Sequence, residues 1–117
     1  MLMVFAAGQV FAEYNREVVV DAMSTNGALM GKLKTALAEN NHFDAAEALM
    51  GIAQAEKTLI SQVPPKGSKA EWDRIHNEII SAAFKGIGAI GDKDMDKVNV
   101  HVGEIGALIQ QGHTTFR

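Results

Sequence analysis

The sequence predicts an all-α fold, an antiparallel up-down-up-down four-helix bundle. Three observations predict it. Apolar residues recur at intervals of three and four through four segments, the period of one helix face. Polar or proline–glycine stretches separate the segments by short connections, which favours antiparallel neighbours. No alternating pattern of useful length competes, although "REVVVD" and "KVNVHVGE" are locally β-like. A chain of 117 residues can bury one core and is too short for two domains.

The chain opens on "MLMVFAAGQVFA", an apolar run closing on Val10-Phe11-Ala12 with small residues at −3 and −1 if a cut falls after Ala12. That is how the end of a secretory signal peptide reads, and the run is too short to span a bilayer. Residues 1–12 are therefore expected to be the remnant of an export signal, with residues 13–117 forming the single bundle domain. Retained, the run would extend the first helix and offer Leu2, Val4, Phe5 and Val10 to a neighbouring chain.

The first helix carries Val19/Val20, Met23, Gly27, Met30, Leu33 and Leu37 on one face and stops at "ENNHFD". Asp44 is expected to cap the second, whose stripe is Leu49, Ile52, Leu59 and Val63. "VPPKGS" ends it, because proline lacks the amide donor and clashes with the preceding turn. Ser68, with Glu71 three residues on, reads as a capping box for the third helix, which turns Trp72, Ile75, Ile79, Ala83, Ile87 and Ile90 inward. After "GDKD" the fourth helix runs from about Asp94 to the C-terminus, with Val98, Val102, Ile105, Ile109, Gly112 and Phe116 inward. Each interior glycine costs about 1 kcal/mol against alanine. Gly27, Gly31, Gly86, Gly103, Gly106 and Gly112 nevertheless fall in helical periodicity, where bare backbone would let helices or a flat ligand approach closely.

Composition narrows the chemistry. An apolar fraction of 47% and a charged fraction of 21% suit a soluble globular chain and suggest neither disorder nor a membrane bundle. A net charge of −3 is too small to imply a nucleic-acid partner. The absence of cysteine excludes disulfides, thiolate metal ligands, cysteine nucleophiles and thioether-linked haem. No nucleophile context or phosphate loop appears, and the glycines of "KGIGAIGD" lack the strand-turn-helix setting of a dinucleotide fingerprint. The sequence thus points away from an enzyme.

Four histidines are the obvious ligands. His42 is expected in a turn and His76 on the solvent side of the third helix, both as surface residues. His101 and Glu104 share a face, but a di-iron bundle site needs two Glu-x-x-His pairs and two further glutamates. His113 lies beside the apolar stripe of the fourth helix, four residues after Ile109 and three before Phe116. Arg117 follows one turn later, where a guanidinium can pair with a carboxylate or haem propionate.

The ending "IQQGHTTFR" resembles the haem-attachment end of the class II c-type cytochromes, the cytochrome c prime family, which reads Cys-x-x-Cys-His-x-x-aromatic-Arg. It matches at His113, Phe116 and Arg117 and departs at both cysteine positions, here Ile109 and Gly112. "YNREVVVDAM" resembles the family's first helix, "SKAEWDRI" the tryptophan-bearing start of its third, and "GDKDMDKV" the Gly-Asp turn before its fourth. The resemblance covers nearly all of the chain from Tyr14 onward.

It implies a periplasmic haem bundle, often a homodimer through the first two helices, that carries electrons to a redox partner protein or binds a small gas. By position His113 would be the iron ligand, Arg117 its neighbour on the next turn, and Arg16 a residue near the propionates. Val20 would stand over the distal face with Met23 one turn further; an apolar distal residue leaves iron open to gases and a methionine closes it. Without cysteines any haem is held non-covalently, as in related b-type bundles that use a histidine and a methionine. The competing expectation is a haem-free bundle with a structural or interaction role, in which Ile109 fills the space beside His113.

Overall fold

The computed structural model describes residues 14–116. The export signal expected at residues 1–12 and the role expected of Arg117 lie outside the described residues. Four helices make up the fold: α1 (Arg16–Ala38), α2 (His42–Ile60), α3 (Lys69–Gly91) and α4 (Met95–Phe116). They form the four-helix bundle that the periodicity predicts, and none of them is long and apolar enough to cross a membrane.

Local chemistry sets the helix ends. Asn15 caps α1 by accepting from the Val18 amide, and Asp94 accepts from Lys97 N at the start of α4. At the first turn Asn40 takes a left-handed backbone (φ 53°), which lets Asn41 N donate to Ala36 O at 2.8 Å and Asn40 N to Leu37 O at 3.2 Å. Asn41 then caps α2, correcting the expectation that Asp44 does so. Asp44 is instead the third residue of the helix, its amide donating to Asn41 Oδ1 while its carboxylate accepts from Asn41 Nδ2 at 2.8 Å. One asparagine both closes a turn and opens a helix, and His42 is consequently the first helical residue rather than part of the turn.

Ser68 caps α3 through the Glu71 amide, as its spacing predicts. The Glu71 carboxylate is engaged by Arg74 with both oxygens, at 2.9 and 3.0 Å. That hydrogen bond, with the guanidinium charge, holds the Glu71 carboxyl below the usual carboxylate range and raises Arg74.

The end of the bundle formed by the α2–α3 connection is tied down from several sides. The Trp72 indole donates to Leu59 O at 2.7 Å, and Lys69 Nζ donates to the carbonyls of Ile60 and Gln62 at 2.6 and 2.7 Å. These side chains satisfy carbonyls that the end of α2 would otherwise leave bare. Gly67 adopts φ 86°, and a Cβ there would stand 3.1 Å from the Phe116 ring, so the connection rests directly on the end of α4.

Packing follows chain order. α1 lies on α2, α2 on α3 and α3 on α4. Leu33, Leu49, Ile52, Leu59, Trp72, Ile75, Ile79, Val98 and Ile105 are buried between them. The fourth seam is different. No Cα of α1 comes within 8 Å of one in α4, so the ring of helices is open along one side. Val102 and Ile109 of α4, both expected inward, are half-buried for that reason.

The glycines divide along the same line. Gly86 does bring helices together, since a Cβ there would meet Leu49 Cδ1 at 3.0 Å, and Gly51 does so against Leu29. Around Gly27, Gly31, Gly103 and Gly106 an added Cβ meets nothing within 4 Å. These four make no close helix contact, which corrects the expected approach of helices at four of the six glycines.

Candidate functional site

The open seam widens into a cavity of about 290 Å³ with a predominantly apolar lining. Side chains of all four helices line this cleft. Gly27 of α1 and Gly106 of α4 both line it and face open space, which makes parts of its two walls bare backbone.

Five of the residues expected at a site share this cavity. His113, Ile109, Gly112 and Phe116 line it from α4, and Met23 lines it from α1. The expected filling of the space by Ile109 does not occur: its side chain is half-buried and the cavity persists beside it. His113 is also half-buried, and its imidazole makes no hydrogen bond to another described residue. Val20 and Arg16 are not brought to the site. Val19, Met23 and Asn26, spaced at four and three, form the inward edge of α1, and Val20, one residue round from Val19, is 45% exposed. Arg16 is exposed in the first turn and outside the lining. Of the two residues expected over a distal face, only Met23 lines the cavity.

A polar network at the same cavity escapes a reading by spacing. His76, expected on the solvent side of α3, is 5% exposed, because one helical turn after Trp72 it shares that residue's inward face. Its Nδ1 lies 2.5 Å from Glu56 Oε2, and Glu56 is 1% exposed. Asn26, 6% exposed, donates from Nδ2 to Glu56 Oε1 at 3.1 Å. That bond fixes the amide, since the reversed orientation would set oxygen against carboxylate oxygen. The Trp72 indole holds the imidazole from its edge, ring centres 4.3 Å apart and planes at 71°. Phe116 packs on the other side of Trp72 in the same edge-on fashion at 5.0 Å.

All three polar residues line the cavity, and two of their atoms, Asn26 Oδ1 and His76 Nε2, are buried without a partner. Asn26 and the imidazole both turn to the carboxylate, so His76 Nδ1 donates and Nε2 is the ring nitrogen left without a partner. A buried group left unpaired costs about 1–3 kcal/mol, and groups of this kind persist where something else meets them. By contrast, His101 pairs with Glu104 at 2.7 Å on the outside of α4 and takes no part in the cavity. No group of three or more histidine or acidic residues among those described is placed to hold a metal ion by itself.

Comparison with known proteins finds no matching family, no matching curated protein and no matching solved structure.

Proposed function

We propose that the α1–α4 cavity binds haem non-covalently, with His113 as an iron ligand, in a periplasmic protein of the cytochrome c prime type that carries electrons or binds a small gas. One observation carries this reading: an imidazole without another partner lines an apolar cavity held open along the single seam where the helices do not close. The walls fit a flat ring. Gly27 and Gly106 project no side chain into it, and at Gly112 a Cβ would make only ordinary contacts, with a methyl of Ile75 at 3.8 Å and the Phe116 ring at 4.0 Å. When bound, haem supplies a redox-active iron.

The chain's own residues supply retention. Met23, Leu59, Ile79 and Phe116 offer apolar surface from all four helices. Burying apolar area contributes roughly 25 cal/mol per Å², which serves in place of thioether bonds. The resemblance of "GHTTFR" to the family's haem-attachment end supports His113 as the ligand, and the apolar residues 1–12 support export.

Titration with haemin tests this directly. The chain is expected to shift the Soret band with one-to-one stoichiometry, and His113→Ala is expected to weaken binding at least tenfold, about 1.4 kcal/mol. An unchanged haemin spectrum with the unaltered chain would leave the haem-free interaction bundle as the function.

A homodimer through α1 and α2 belongs to the same proposal, with a redox protein as the transient second partner. Val20 of α1 and Met50 of α2 support it, since both are large apolar side chains left exposed on that helix pair. Sedimentation of a chain beginning at Glu13 is expected to show a dimer that Met50→Glu dissociates. A monomer at about 100 µM, tenfold above the roughly 10 µM dissociation constant of a weak dimer, would remove the dimer from the proposal.

A further inference from the structure

We infer that His76 is a second ligand for the iron of a haem bound in this cavity. The inference rests on the haem reading above and names a residue that neither spacing nor the resemblance assigns.

The geometry around the ring carries it. A histidine that binds metal almost always gives its other ring N–H to a carboxylate or carbonyl, which fixes the tautomer, holds the plane and makes the free nitrogen more basic. His76 has that arrangement in full. Nδ1 is held by Glu56 at 2.5 Å, the carboxylate is itself held by Asn26, and the Trp72 edge fixes the imidazole plane. Nε2 is left buried and unpartnered in a residue that lines the cavity. His113 has no such support, as its ring makes no hydrogen bond to a described residue.

Nothing else in the bundle uses the pair. Glu56 has no lysine or arginine partner among the described residues; its carboxylate meets only the imidazole and the Asn26 amide. A buried carboxylate, imidazole and amide sit where an apolar core would be simpler. Their joint effect is to fix the imidazole and leave one ring nitrogen without a partner. Imidazole suits iron, whereas a thioether raises the potential of the iron it binds. His76 would therefore hold the iron in place of Met23, and two imidazole ligands would keep its potential low.

Low-temperature electron paramagnetic resonance and visible absorption of the haemin-loaded chain test this. The unaltered protein is expected to show a low-spin signal of the bis-imidazole type, retained in Met23→Leu. His76→Leu is expected to keep one haem per chain and become high-spin. Millimolar imidazole added to His76→Gly is expected to restore the low-spin signal. Glu56→Gln, which preserves shape, is expected to raise the midpoint potential and alter the spread of the low-spin g values, because the ligating imidazole loses its anionic support. It is the second variant if the apolar replacements fail to fold by circular dichroism. Haem uptake with a high-spin unaltered protein overturns the inference alone, as does a low-spin signal that survives His76→Leu or a g spread unmoved by Glu56→Gln. No uptake by the unaltered chain overturns the haem reading and this inference with it.

Discussion

Trp72→Ala is expected to lower the stability of the bundle by about 3–5 kcal/mol, the range for truncating a fully buried tryptophan. The side chain is buried completely and does three things at once. It fills the interior between the end of α2 and the end of α4, it packs edge-on against His76 and Phe116, and its indole N–H satisfies Leu59 O at 2.7 Å. Alanine removes all three. A bundle of this size has about 5–15 kcal/mol in total, so the loss is a large fraction of what holds it folded. Urea unfolding followed by helical circular dichroism reads the change as a lower midpoint. Trp72→Phe separates the contributions: it keeps most of the packing but strands the Leu59 carbonyl, and is expected to cost about 1–3 kcal/mol. Equal losses in the two variants would show that the hydrogen bond, rather than the volume, dominates. A loss under about 1 kcal/mol for Trp72→Ala would mean that Phe116 and the neighbouring loop collapse into the space.

The expectation that Trp72 faces inward comes from spacing alone, and so do most of the fold's features. Ile75, Ile79 and Ala83 follow it at helical intervals and are buried with it. The proline pair and the Ser68 cap place the longest connection where it lies. These features are legible because each depends on residues close in sequence. The cap of α2 is less so, since Asn40, Asn41 and Asp44 can each close a helix and only the left-handed backbone at Asn40 selects among them.

The site is legible on one side only. His113 emerges from helical register, and Ile109, Gly112 and Met23 from the resemblance of the chain's ending and first helix to the cytochrome c prime pattern. The Asn26–Glu56–His76 network is hidden because its members lie 30 and 20 residues apart, each on a different helix, and polar residues usually read as surface. A signal was present all the same. Asn26 is three after Met23, Glu56 is four after Ile52 and His76 is four after Trp72, so each interrupts an apolar stripe at an inward position. One such interruption per helix, on three helices, is the pattern of a buried network. The open α1–α4 seam has no comparable signal, since it depends on how four helices meet.

Glu56→Leu is expected to cost about 3–5 kcal/mol, because it leaves the His76 and Asn26 donors buried without an acceptor. The triple replacement Asn26→Leu, Glu56→Leu and His76→Leu is expected to behave oppositely, recovering to within about 1 kcal/mol of the unaltered chain or exceeding it. Removing one member of a buried ionic group strands its partners, whereas replacing all of them with apolar side chains removes the desolvation penalty as well. Two atoms of the network are unpaired to begin with, so the polar form starts at a disadvantage that the triple variant lacks. Denaturant midpoints of the single and triple variants, compared as a cycle, measure the coupling. A stable triple variant that no longer gives a low-spin haem signal would show why the polar group persists at a cost in stability: Nε2 is kept available at the cavity. A triple variant as unstable as Glu56→Leu would instead make the network a structural part of the bundle, with its free nitrogen and amide oxygen met by water rather than by a cofactor.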